Sequence, residues 1–156
     1  MIELRPYVDE DEAAVLMLWW EAWHSTQPGL THPHPFSDWR KRWFEHVLPA
    51  NVVFVAIRGR GVLGFAAASL DGRELTQIFV SPTEQRAGVG RLLLDWARAR
   101  MPEGFTLRTQ TDNGVARAFY EKHGFAVGAT QANPFSGMDT IEYRWAPSGT
   151  SDEDVT

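Results

Sequence analysis

The chain has 156 residues, 44% of them hydrophobic and 22% charged, with a formal net charge of −5. That describes one soluble globular domain large enough to bury a core, and the mild acidity, three charges of which come from Asp152, Glu153 and Asp154, offers nothing to nucleic acid. The absence of cysteine excludes a disulfide frame, a thiolate metal site and a cysteine nucleophile. No apolar stretch reaches membrane-spanning length, and MIELRPYVDEDE lacks the apolar run of a secretory signal, so a cytoplasmic protein without a membrane partner is expected.

Ile2 to Tyr7 alternates as a short strand. Asp9 to Glu12 places carboxylates where a helix start favours them, and Ala13 to His24 carries Leu16, Trp20 and Trp23 on one helical side with Val15 and Trp19 beside them. Gln27 to Phe36, with three prolines and a glycine, reads as a loop. Ser37 is the expected cap of a second helix, Asp38 to Val47, ended by Leu48-Pro49.

Asn51 to Ile57 and Val62 to Leu70 read as strands joined by the turn Arg58 to Gly61, and Asp71-Gly72 signals a hairpin into a third strand, Leu75 to Val80. Ser81-Pro82 stops that strand. From Gly90 the period becomes helical, with Leu93, Trp96, Ala97 and Met101 on one face, until Pro102 and Gly104. Phe105 to Gln110 is another strand. Asn113 to His123 is a helix begun by Asp112 or Asn113 and stopped by Gly124. Phe125 to Thr130 and Met138 to Trp145 are the last strands, linked by residues 133–137, and the residues from Pro147 onward form an acidic tail expected to be disordered. Hairpins first and strand–helix alternation later indicate an α+β fold on a mixed sheet in a single domain, residues 1–146.

The chemistry centres on the loop Gln85-Arg86-Ala87-Gly88-Val89-Gly90 between a strand and a helix. Glycines let a ligand approach the backbone, and a helix start offers unpaired N–H groups and a positive dipole end, a site suited to phosphate. Arg86 and Arg91 add positive charge. An ordinary strand-to-helix turn packed on glycine would look similar. A Rossmann fingerprint fails because Leu93 stands where a third small residue is needed, and a Walker loop fails because Gly90 is followed by Arg91-Leu92.

The stretch resembles the acyl-CoA signature of the GNAT acyltransferase superfamily, a Gln/Arg-x-x-Gly-x-Gly/Ala run after a strand ending in Val-x-Pro. Gln85, Gly88 and Gly90 fall on its positions, preceded by Val80 and Pro82. Downstream, NGVARAFYEKHGF, Asn113 through Phe125, resembles the family's Asn-x-x-Ala-x-x-x-Tyr-x-x-x-Gly-Phe helix. The resemblance implies a mostly antiparallel sheet of six to seven strands, splayed at the acyl-CoA site, with about four helices. It also implies acetyl-CoA as co-substrate, held by Ile78, Phe79, Val80, Gln85 to Arg91, Asn113 and Arg117, with no metal. A homodimer follows by analogy alone.

Acetyl transfer from a thioester to an amine passes through a tetrahedral oxyanion and expels a thiolate. A backbone donor to the oxyanion is worth roughly 3–4 kcal/mol. The resemblance gives that role to the Val80 N–H and the general-acid role to Tyr120, whose phenol is suited to protonating a thiolate. In many relatives a Glu stands three residues before Val80, where this chain has Gln77. Glu74 could serve as base through water, and His24, His32, His34 and His46 are alternatives by pKa. His32 and His34 lack an evident third ligand for a metal. Trp23, His32 and Gln77 are the candidates for the acceptor pocket: five of the seven tryptophans lie between Trp19 and Trp43, where most would pack as core and one or two could line an aromatic slot. An N-acetyltransferase acting on a small-molecule or peptide amine is the expected function. A catalytically silent acyl-CoA-binding module and an unrelated phosphate-ligand binder are the rivals.

Overall fold

A computed structural model describes residues 1–27, 29–85 and 87–147. Pro28, Arg86 and the tail from residue 148 lie outside the described residues, so the expectations for Arg86 and for the tail have no structural counterpart. Seven strands form one sheet: β1 (Glu3–Pro6), β2 (Val52–Arg58), β3 (Gly61–Ser69), β4 (Glu74–Val80), β5 (Phe105–Gln110), β6 (Ala126–Ala132) and β7 (Asp139–Trp145), in the order β1-β2-β3-β4-β5-β7-β6. Every neighbouring pair is antiparallel except β4 with β5. The helices are α1 (Glu12–Ser25), α2 (Phe36–Arg42), α3 (Leu48–Ala50), α4 (Val89–Arg100) and α5 (Gly114–Lys122), with a wide π-type turn, Trp43–Val47, fusing α2 and α3 into one body.

The sheet separates two cores because strand side chains alternate between faces. One face packs α4 and α5 through Leu93, Leu94, Ala97, Tyr120 and Phe125. The other packs α1 and α2 through Val15, Leu16, Trp19, Trp23, Trp39 and Trp43. The tryptophans meet mostly edge-on, with Trp19 and Trp39 at 4.7 Å and Trp20 and Trp39 at 5.2 Å between ring centroids. Four of the five between Trp19 and Trp43 are buried, as expected for core packing.

Two helix boundaries differ from the sequence reading. The second helix starts at Phe36 with Pro35 as its cap, so Ser37 lies inside the first turn and caps nothing; Pro35 supplies the extended backbone an N-cap needs without a side-chain bond. Leu48-Pro49 does not end the helical body either. The preceding turn is wound wide, with the Leu48 N–H bonded to Trp43 O, and Pro49 falls where a new helical turn begins, the position at which a missing N–H costs little. The acidic start near Asp11 is held by Arg5, whose Nη1 and Nη2 donate to Asp11 Oδ2 and Oδ1 at 2.7 and 2.8 Å, while the Val8 N–H donates to Oδ2 at 3.0 Å.

Candidate active site at the opened strand pair

The parallel pair β4–β5 holds for only two positions, Glu74 opposite Thr106 and Leu75 opposite Leu107. Beyond Leu75 the strands part, while β5 stays paired to β7 along its whole length. A bulge marks the parting: Ala67 faces Gln77 and Ala68 faces Leu75, which leaves Thr76 as the extra residue. The Thr76 hydroxyl anchors that bulge, 2.6 Å from Asn51 Oδ1 and 3.1 Å from Ala67 O.

The hydrogen-bond phase of β4 decides what faces the opening. The Ser81 N–H donates to Leu63 O at 2.8 Å. Bonded and non-bonded positions alternate in an antiparallel ladder, and Phe79 faces Phe65 while Val80 faces Gly64. Phe79 therefore exchanges bonds with β3, and Ile78 and Val80 turn their backbone N–H and C=O groups to the opposite side, where β5 has withdrawn. The sequence reading gave the oxyanion role to Val80 alone; Ile78 presents an amide in the same phase and lies closer to Glu74.

The loop after β4 leads into the start of α4. Gly88 is its N-cap at φ +84°, a left-handed conformation that glycine adopts without strain, and no side chain caps the helix. The Ala87 N–H is spent on Glu84 O at 3.2 Å and the Leu92 N–H on Gly88 O at 3.1 Å. Between them the amides of Gly88, Val89, Gly90 and Arg91 bond nothing among the described residues. Gly90 lies against α5 and β4: a Cβ there would sit 3.4 Å from Phe119 Cζ and 3.8 Å from Val80 Cγ2. Gln85 is exposed, and Arg91 is largely exposed with its guanidinium 4.0 Å from Asp95. Gly64, which the sequence reading passed over, belongs to this region too. A Cβ on it would meet Phe79 O at 2.8 Å, Val89 Cγ1 at 3.0 Å and Leu93 Cδ1 at 3.2 Å, so its bareness lets the start of α4 lie flat on the sheet. Only the strand register reveals it.

α5 presents Tyr120, 6% exposed, in contact with Phe119, Phe125 and Tyr143. Its hydroxyl bonds no described residue, and burial pushes the phenol pKa up. Asn113 caps the helix, its Oδ1 accepting the Ala116 N–H at 3.1 Å. Arg117 is committed inward, with Nε donating to Tyr143 Oη and Nη1 to Thr111 O, each at 3.0 Å; the Tyr143 hydroxyl in turn donates to Glu121 at 2.6 Å. The sequence reading placed Asn113, Arg117 and Tyr120 on one surface for the coenzyme, and the protein itself already occupies Arg117.

On the opposite face, Glu74, Thr76 and Gln77 line a depression of about 230 Å³ with Ser69, Asn51 and, from the second helical body, Arg42 and His46. Glu74 lies four residues from Ile78, about 13 Å along an extended strand and less across the bulge, so a proton passing between Glu74 and that end of β4 would travel through water.

The histidines sort by their partners. His24 Nδ1 faces Trp20 O at 2.8 Å and its Nε2 accepts the His32 N–H at 3.1 Å, so both nitrogens hold the loop rather than a substrate. His34 pairs with Asp38 at 3.0 Å and stacks on Phe135 at 4.7 Å. His32 is 4% exposed, wedged against Trp23, Trp39 and Phe135, and burial together with His34 and His24 lowers its pKa to about 4. Trp23 is 7% exposed. The aromatic slot expected at Trp23 and His32 is therefore filled by these rings packing on one another; Gln77 is the one of the three expected acceptor residues that lines an open depression. Just after α1, Gln27 donates to Gln110 Oε1 and, at 3.0 Å, to Asp112 Oδ1, which ties that segment to the far end of β5. Among the described residues no group of three His, Asp or Glu could hold a metal, and no helix is long and apolar enough to cross a membrane.

Residues 49–127 match the family model of the acetyltransferase (GNAT) domain. A curated relative, peptidyl-lysine N-acetyltransferase YjaB of Escherichia coli strain K12, is 35% identical over 81 residues, 51% of this chain; the match spans about half of that relative's length, 53%. The solution structure of apo YjaB superposes with a TM-score of 0.74 at 23% identity, covering 95% of this chain and 99% of that one. The PaiA N-acetyltransferase of Thermoplasma acidophilum, solved in complex with coenzyme A, does so with a TM-score of 0.74 at 20% identity, covering 93% and 99%. These structures share the overall fold of this seven-stranded mixed sheet, and the chain belongs to the GNAT acetyltransferase family.

Proposed function

We propose that this protein transfers an acetyl group from acetyl-CoA to a primary amine of a small molecule or peptide by direct nucleophilic attack. The observation that carries the reading is the parting of β4 from β5, with the Ile78 and Val80 amides turned into the gap in front of the uncapped start of α4. The amides of Gly88 to Arg91, which bond nothing among the described residues, suit the pyrophosphate. The pantetheine arm would lie in the gap as if it were the missing strand, borrowing the backbone groups that β5 leaves unpaired. An amide of Ile78 or Val80 would donate to the thioester oxygen and gain strength as charge develops there. Tyr120, held protonated by burial, would supply the proton to the departing thiolate. The amine would approach from the α1–α2 face and lose its proton through water to Glu74. Membership in the family and the coenzyme A bound to the PaiA neighbour favour this reading; the YjaB relative acts on peptidyl-lysine, which favours an amine acceptor.

The presence of Gln77 in place of a carboxylate favours one second reading, a domain that binds acyl-CoA without turning it over. Thermal-shift measurements with CoA and acetyl-CoA, followed by thiol release across a panel of amines, test both. Stabilisation by the coenzyme with amine-dependent thiol release is expected. Stabilisation with no release from any amine leaves the binding module, and no stabilisation removes both readings.

A further inference from the structure

The depression beside the bulge of β4 is lined by two residues of opposite charge, Arg42 and Glu74, that form no ion pair among the described residues. Arg42 is half-buried there and has no ion pair and no hydrogen bond with any described residue; its guanidinium lies over the Phe135 ring, 4.6 Å from the centroid. Glu74 lines the same depression, and its carboxylate likewise has no hydrogen bond or ion pair among the described residues. Other arginines of this chain do find acceptors. Arg5, Arg40, Arg58 and Arg98 pair with carboxylates within 3.4 Å, and Arg117 bonds Tyr143 and Thr111.

A guanidinium carries five N–H donors in a rigid fork and stays charged at any ordinary pH. Placing it half out of water without an acceptor is unfavourable unless something supplies one. Here burial alone opposes the charge, and the guanidinium is held over the Phe135 ring. The two residues line one concavity without an ion pair to each other or to any other described residue, which is the electrostatic complement of a molecule bearing both an ammonium and an anionic group. At about 230 Å³ the concavity suits a compact ligand rather than a folded partner.

We infer that Arg42 binds the carboxylate of the acceptor, and that the acceptor is a small amino-carboxylate whose primary amine lies a few bonds from that group. Arg42 receives the carboxylate in a bidentate pair, Glu74 draws the ammonium toward the opened strand and takes its proton through water, and Gln77 lines the same depression. The inference rests on the acetyl-transfer reading for its reaction and adds the class of acceptor.

The test compares matched acceptors with enzyme saturated in acetyl-CoA: lysine against cadaverine, and β-alanine against ethylamine, with aminoethylphosphonate as the phosphorus analogue. The carboxylated member of each pair should be preferred roughly 10- to 100-fold in kcat/KM, chiefly through KM, as expected for a charge-assisted pair. In Arg42→Gln the preference should shrink to within about twofold of unity, and Arg42→Lys should retain part of it, since a lysine keeps the charge but not the fork. An undiminished preference in Arg42→Gln, or a wild-type preference for the decarboxylated amines, overturns the inference. A preference for the phosphonate over β-alanine overturns the carboxylate assignment. If no acceptor is turned over although the coenzyme binds, the acetyl-transfer reading has failed separately. Calorimetric titration of the CoA-loaded protein then decides Arg42: tighter binding of lysine and β-alanine than of their amines, lost in Arg42→Gln, upholds it, and equal binding overturns it.

Discussion

The backbone N–H of His34 donates to Nδ1 of His32 over 3.0 Å, which leaves the neutral His32 ring with its proton on Nε2. The ring is buried among Trp23, Trp39 and Phe135. Charging it would break the bond from His34 and place a cation against aromatic edges without a counter-ion among the described residues.

A pH dependence of stability follows. The folded value of about 4 lies below the ordinary 6.5, so between them the unfolded chain binds the extra proton. The contribution of His32 is complete above pH 6.5, falls as pH drops toward 4, and changes no further below that. A loss of order 2 kcal/mol is expected across this window once solvent screening is allowed for. Urea unfolding of the wild type and His32→Asn at pH 7 and near the lower end measures it. Asn can still accept the His34 N–H but does not titrate, so its stability should fall less. Parallel losses in the two proteins would show that His32 titrates normally.

Gly64 gives a steric prediction. The carbonyl of Phe79 would lie 2.8 Å from an added methyl, and it is backbone that cannot swing aside as the side chains of Val89 and Leu93 can. Gly64→Ala should therefore push β4 and the start of α4 off β3, costing about 1–3 kcal/mol. Because the same displacement moves the amides of Ile78 and Val80, coenzyme affinity should fall with stability. Denaturant midpoints and CoA titration of the variant provide the check.

Gly88 separates backbone strain from crowding. Its φ is +84° and nothing lies within 4 Å of an added Cβ, so Gly88→Ala suffers only the left-handed conformation, roughly 1–2 kcal/mol. Gly88→Asn, which tolerates that conformation better, should lose less. The melting temperatures of the two variants should rank in that order, with coenzyme affinity following the same order if the helix start is the anion site. Equal effects of both substitutions would remove strain as the cause.

What the sequence could convey divides along the range of the interactions involved. β5 begins and ends at the expected residues, and α5 stops before Gly124 at φ +89°, because period and glycine are local properties. The GNAT pattern led from Val80, Gln85, Gly88 and Gly90 to the parted strands, since glycines at a helix start leave a recognisable spacing. The cap at Ser37 and the stop at Pro49 failed for a different reason: the wide turn at Trp43–Val47, which keeps the helical body going, follows from tertiary packing of Trp43 and Val47. Gly64 required the register of β3 on β4. The burial of His32 required Phe135, which is distant in sequence, and so did the placement of Arg42 over that ring. Arg117 looked free for a ligand because its partner Tyr143 lies two strands later in the chain.

Tyr120 provides the sharpest division between structural and chemical roles. Its ring packs in the core against Phe119, Phe125 and Tyr143, and its hydroxyl bonds no described residue. Tyr120→Phe keeps the packing and breaks no bond to a described residue, so stability should change by less than about 0.5 kcal/mol. Coenzyme affinity should hold as well, because the pyrophosphate contacts proposed for the α4 start are untouched. If the phenol protonates the departing thiolate, kcat should nevertheless fall by about 10²- to 10⁴-fold, the range for a lost general acid. Burial raises the phenol above its ordinary value of 10.0, so the acid stays protonated and wild-type turnover should show no loss from this group as pH climbs through 9 and 10. Single-turnover thiol release with both proteins, across that range and with calorimetric CoA affinities alongside, separates the possibilities. Unchanged turnover in Tyr120→Phe would leave the residue as core packing and return the thiolate's proton to solvent.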